Sequence, residues 1–166
     1  MEDTDKRTSA IVHLYGVSLA ATILAKKRGL DEELAAMAAM LHDMHAYKTG
    51  SYDDHAHKGA DLAREILGEL NLTTPEETDI ICSAIYHHDD KHTVDSPMDE
   101  LLKDADVIHH TMNDSSKAVK GEGVPVALLF EPTGAKRRQS PLNLGGVEQH
   151  PYLAVDNICV VIFFLV

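Results

Sequence analysis

Residues 31–50, DEELAAMAAMLHDMHAYKTG, decide how this chain reads. Asp31 can cap a helix, with Glu32 and Glu33 in its first turn, where the exposed amides favour negative charge. The helix then runs through LAAMAAMLHD to about Met44 and is apolar on nearly every side, as a central, buried helix must be. Its end carries His42 and Asp43. Adjacent helical residues point about 100° apart, so a plain core position would turn one of the two outward. Both can face a single ion that sits in the angle between them, and an imidazole with a carboxylate suits a divalent transition metal. The bland alternative is a His–Asp hydrogen bond at a helix end.

Working outward, apolar residues Ile11, Leu14, Val17, Ala21, Leu24 and Ala25 recur at three- and four-residue steps. They predict a first long helix over about Ser9–Arg28, stopped by Gly29. On the other side, HAYKTGSYDD reads as a loop, and Asp54 is placed to cap a third helix, HAHKGADLAREILGEL. Thr74-Pro75 and Ser96-Pro97 each put a capping hydroxyl before a proline, which opens a helix at its first position. These start a fourth helix carrying DIICSAIYHH and a fifth carrying DELLKDADVIHH. No stretch before residue 111 alternates as a strand would, so the fold class is all-α: a bundle of five or more helices.

Past about Lys120 the character changes. Four of the six prolines lie between Pro125 and Pro151, helical periodicity is lost, and the chain ends ICVVIFFLV. That end is too short to span a bilayer and reads as a strand or helix packing on the core or on a partner. The expected division is a helical domain over 1–120 and an irregular C-terminal extension over 121–166. The apolar end is one candidate contact of a homo-oligomer.

The net charge of −12 repels a nucleic-acid backbone, so a polynucleotide partner is not expected. Two widely spaced cysteines, Cys82 and Cys159, support neither a disulfide framework nor a thiolate zinc site. With a charged, polar N-terminus, this fits a cytoplasmic protein without membrane insertion. The unusual feature is the histidine content: eleven, ten of them before residue 111. His13, His42, His55 and His88, with Asp43, Asp104 and Asp106, each lie in or beside an apolar-periodic segment. Inward-facing side chains from different helices of a bundle build metal sites, and the set is large enough for one ion or two. His57 competes with His55, His87 with His88, and Asp104 with Asp106. His45, His92, His109, His110 and His150 read as solvated or incidental.

In this order, HLYGVSLAATILA (13–25), AAMLHDMHAYKTG (38–50), HAHKGADLAREIL (55–67), AIYHHDDK (84–91) and ELLKDADVI (100–108) resemble the HD-domain superfamily of metal-dependent phosphohydrolases. The resemblance covers roughly residues 10–112 and rests on H…HD…HxxxGA…H…D. It implies a first metal site of His13, His42, Asp43 and Asp106, and in two-metal members a second at His55 and His88 with Asp43 bridging. It implies hydrolysis of a phosphoester in a small phosphorylated substrate, with a nucleotide as the preferred class. Asp43 would act in catalysis, and Asp104 or His87 would carry a proton to the leaving group. Lys48, Lys58 and Lys91 are candidates to contact substrate phosphate. Nitrogen and oxygen donors without thiolate point to Mn, Fe, Co, Ni or Zn. A non-catalytic sensor of metal or nucleotide is the competing reading, because fold does not fix function.

Overall fold

The structure, a computed structural model, describes residues 4–113. The expected extension over 121–166, the boundary near residue 120, Cys159 and His150 lie outside the described residues. Within them the fold is all-α, as expected: α1 (Thr4–Arg28), α2 (Glu32–Leu41), α3 (Met44–Thr49), α4 (His55–Leu70), α5 (Pro75–His87) and α6 (Pro97–Asn113).

The alanine- and methionine-rich α2 is the centre of the bundle. Every residue from Leu34 to Leu41 is buried, packed among α1, α5 and α6. Its start is fixed by Asp31, whose carboxylate accepts from the Glu33 and Leu34 amides at 2.9 Å, two of the donors a helix start leaves without partners. α1 lies along α2 and α6 and buries Ala10, Leu14, Val17, Ala21, Leu24 and Ala25. α1 is long and apolar enough to cross a membrane, by length and composition alone. Its apolar content serves the core on one side, while Val12, Tyr15, Leu19 and Ile23 form an exposed stripe on the other.

α4 and α5 pack on each other, and α5 also on α2 and α6. The start of α5 is a reciprocal cap. Thr74 Oγ1 accepts from the Glu77 amide at 3.3 Å, and Glu77 Oε2 accepts from the Thr74 amide at 2.8 Å. The turn from α5 to α6 is wired down by Lys103, almost wholly buried. Its Nζ reaches Thr93 O at 2.8 Å, Asp95 Oδ2 at 2.6 Å and Glu100 Oε1 at 2.8 Å.

Two local expectations are corrected. The stretch expected as a loop over HAYKTGSYDD contains α3, which closes with Gly50 in the left-handed conformation (φ 74°) and a Gly50 N–H to Ala46 O bond of 2.7 Å. A helix of so few residues is too short to display a hydrophobic period. Asp54 stands before α4 as expected but does not cap it through its side chain. Its own backbone is left-handed (φ 53°), and its carboxylate pairs instead with His57 Nδ1 at 2.7 Å.

Gly59 sets how closely α4 approaches the end of α2. A Cβ there would lie 3.0 Å from the His42 carbonyl oxygen and 3.5 Å from Ile85 Cγ2. Gly68, on the same helix, has open space around it. Gly59→Ala should therefore cost roughly 1–3 kcal/mol by overpacking. Gly68→Ala should stabilise by roughly 0.5–1 kcal/mol through the lost flexibility of the unfolded chain. Urea unfolding of both variants checks the pair, and equal effects would show that Gly59 is not a close-approach position.

Candidate metal centre

The chain changes direction between α2 and α3, and the two decisive residues sit at that break. His42 is the last turn of α2 in helical conformation, and Asp43 follows at φ −104°, ψ 8°, a sparsely used backbone region in which active-site residues are often found. The break frees both side chains from strict helical spacing, so both point into the same buried space. His42 is fully buried and Asp43 is 8 % exposed.

Each oxygen of Asp43 faces its own pair of imidazoles. Oδ2 lies 3.5 Å from His42 Nε2 and 3.6 Å from His13 Nε2. Oδ1 lies 3.4 Å from His55 Nε2 and 3.5 Å from His88 Nε2. Asp106 joins the first pair from α6, with Oδ1 3.6 Å from His13 Nε2 and 3.9 Å from His42 Nε2. The six side chains therefore arrive from α1, the α2–α3 break, the start of α4, the end of α5 and α6.

The structure separates the alternatives that spacing leaves open. His55 faces the cluster, whereas His57 is exposed, stacked on Tyr86 at 4.0 Å. His88 faces it, whereas His87 turns to Ser83 O at 3.0 Å and Asp99 Oδ2 at 3.3 Å. Asp106 faces it, whereas Asp104 forms an ion pair with Arg28. Two residues along a helix is a rotation of roughly 200°, so Asp104 and Asp106 cannot share a face. The expected proton carriers, Asp104 and His87, are thus not brought to the cluster. Of the three lysines, Lys91 is: its Nζ is 3.1 Å from Asp106 Oδ2. Lys58 pairs with Asp53 at 3.5 Å and donates to its carbonyl at 2.9 Å, and Lys48 is exposed on α3.

Two histidines expected to be incidental belong here as well. His109 Nδ1 meets His13 Nδ1 at 3.0 Å, and His110 Nε2 lies 3.2 Å from Asp106 Oδ1. The signal was their placement three and four residues after Asp106, the spacing at which helical side chains are neighbours.

The donor chemistry fits a metal ion. His42, His55 and His88 each direct Nδ1 to a main-chain carbonyl, at 2.7, 3.0 and 2.7 Å respectively. A carbonyl only accepts, so each Nδ1 carries a hydrogen, and Nε2 is the ring atom that faces Asp43. Burial, with His42 close by, pushes the His13 imidazole down to about 3, and burial likewise lowers His42. Both rings are neutral, as ligands must be. Burial works to raise the Asp43 carboxyl, but His42 and His88 outweigh it and hold the group well below the usual range. Burial also works to raise Asp106, and its hydrogen bond from His110 leads the effects that keep it low. Asp43 Oδ1 is nevertheless buried without a hydrogen-bond partner, a costly state for a carboxylate oxygen that a cation would relieve. His13, His42 and Asp43 form one group with metal-ligand spacing, Asp43, His55 and His88 a second, and His13, Asp106 and His110 a third.

No curated protein and no solved structure matches the chain. The family model described as HD domain matches residues 10–111, more than half of the chain and a range that contains all six of these positions. On that match and the arrangement around His42 and Asp43, the chain belongs to the HD-domain family, whose members are typically metal-dependent hydrolases.

Proposed function

We propose that this protein is a metal-dependent phosphohydrolase that cleaves a phosphoester bond of a small phosphorylated substrate, with a nucleotide as the preferred class. The observation that carries the proposal is the Asp43 carboxylate, with one oxygen toward His13 and His42 and the other toward His55 and His88. In this reading His13, His42, Asp43 and Asp106 would hold one divalent ion, and His55 and His88, sharing Asp43, would hold a second. The all-nitrogen-and-oxygen donor set favours Mn, Fe, Co, Ni or Zn. Bound there, such an ion supplies Lewis acidity, making a water acidic enough to ionise near neutral pH and drawing charge from a phosphoryl oxygen.

The chain's own residues do the rest. The Nδ1–H bonds of His42, His55 and His88 aim their Nε2 atoms at Asp43. Asp43 ties the two halves into one unit. Lys91, held at 3.1 Å from Asp106, brings a cation to the edge of the cluster, where it would offset the charge of a phosphate entering a protein of net charge −12.

The test loads chelator-stripped, untagged protein with each of the five metals in turn and offers a phosphomonoester, a phosphodiester and a nucleoside polyphosphate. Turnover with at least one metal is expected. Asp43→Ala should lose both turnover and nearly all bound metal by elemental analysis, and His88→Ala about half the metal of a two-ion centre. Metal-loaded protein that hydrolyses none of these substrates would refute the enzyme, and one that returns a tightly held nucleotide intact would be a sensor.

The metal-free protein should also be acid-sensitive. The unfolded chain protonates His13 near 6.5, while the folded chain resists until about 3. Between those values protons favour the unfolded state, at a limiting slope of about 1.4 kcal/mol per pH unit for such a group. The urea midpoint of chelator-treated protein should fall between about pH 7 and about pH 5, and His13→Gln should flatten the fall. An unchanged midpoint would mean that the folded protein takes up these protons freely.

A further inference from the structure

Three of the four imidazoles around Asp43 are aimed by one local device. His42 donates to Ala39 O, His55 to Tyr52 O and His88 to Ile85 O, in each case the carbonyl three residues earlier. All three lie at helix boundaries: the C-cap of α2, the first residue of α4 and the C-cap of α5. Carbonyls near helix ends have capacity to spare. His13, in the middle of α1, directs its Nδ1 away from its own helix.

His13 uses α6 instead. Its Nδ1 is 3.0 Å from His109 Nδ1, and the two rings meet edge to face with centroids 4.8 Å apart. The His109 ring lies directly on the backbone of α1 at Gly16. A Cβ there would come within 2.2 Å of His109 Cδ2 and 2.4 Å of Nε2, closer than side chains can yield without the ring leaving. Gly16 lies three residues after His13, and His109 three after Asp106, so each pair shares a helix face. The two helices thus contribute one candidate ligand and one half of a support each.

We propose that His109 is a positioning residue for His13, seated by Gly16, and that it fixes the ring so that Nε2 faces Asp43 and Asp106. The proposal rests on reading the cluster as a metal centre. The hydrogens balance. His42 carries its hydrogen on Nδ1, so its Nε2 can only accept, and the 3.2 Å contact with His13 Nε2 places the His13 hydrogen on Nε2 in the metal-free state. His109 Nδ1–H then donates to His13 Nδ1. With His13 Nε2 serving as a ligand, the hydrogen would reside on His13 Nδ1, and His109, its own hydrogen moved to Nε2, would accept at Nδ1. An imidazole can play either part, and so can a side-chain amide, whereas an alkyl group can play neither.

The experiment measures metal affinity by chelator competition in the full chain, using His88→Ala as a background in which the His13 side remains. There, His109→Ala and Gly16→Ala should each weaken binding by roughly 10–100-fold, the usual effect of removing a group that orients a ligand. His109→Asn, which places a polar atom where Nδ1 was, should recover most of the loss. Gly16→Ala should add little to His109→Ala, since no ring is left to displace. In a His13→Ala background none of these changes should alter the remaining site. Nitrogen-15 imidazole shifts of His13 should report the move of its hydrogen from Nε2 to Nδ1 on metal loading. Unaltered affinity in His109→Ala would overturn the proposal, as would equal weakening of both sides or no recovery with Asn. If Gly16→Ala does not fold, the Ala–Asn pair at 109 decides alone. A wild type that takes up no metal is a different failure: it removes the metal centre itself, and this proposal with it.

Discussion

Asp43 carries a carboxylate into a place where water scarcely reaches it, and the rest of the bundle is arranged around that fact. An unpaired charge in such surroundings is expensive, so the group has to be met from several directions. Imidazoles arrive from α1, the end of α2, the start of α4 and the end of α5, and a second carboxylate arrives from α6. Placing a residue at that common point requires α2 to run through the middle of the bundle and to end there. Its composition follows: small alanines let neighbouring helices come close, and Met37, Met40 and Leu41 fill the space between them. The absence of polar residues from Leu34 to Leu41 and the two polar residues that follow are two sides of one requirement.

Much of this was legible in the sequence because it is written in local chemistry. A continuous apolar run followed by His-Asp gives both the buried helix and the place where it stops. Thr74-Pro75 and Ser96-Pro97 mark helix starts by atoms that reach only a few residues. The ordered segments from His13 to Asp106 identified the family. What was not legible depends on rotation and on partners distant in sequence. Asp104 and Asp106 differ in side only once α6 has a known phase against α1. His87 and His88 are separated by where α5 ends, to the nearest residue. Asp54 reads as a cap, but a left-handed backbone takes its carboxylate away from the helix amides. His109 and His110 looked like a polar helix end because nothing in their own neighbourhood shows that α1 passes beside them with a glycine at the point of contact.

Charge has to be considered at two scales. The molecule as a whole is strongly acidic, which disfavours any anion at long range. Inside the cluster the buried imidazoles His13 and His42 are uncharged and the two carboxylates are ionised. Asp106 is also met by Lys91 Nζ at 3.1 Å and His110 Nε2 at 3.2 Å. Under the proposed function, a phosphate would be drawn by the cation that the cluster holds, which would link occupancy to substrate affinity.

The three imidazoles that lean on a carbonyl within their own segment have a consequence for how the site assembles. Their orientation is set by contacts of the shortest range in sequence, which cost little loop-closure entropy and form early and independently. Rotamer freedom is thus surrendered one ring at a time, as each helix end takes shape, and not all at once when the bundle closes. His13 is the exception, because its support spans 96 positions of the chain. Its aim is settled only when α6 lies on α1, so the orientation of this one ring depends on how those two helices pack.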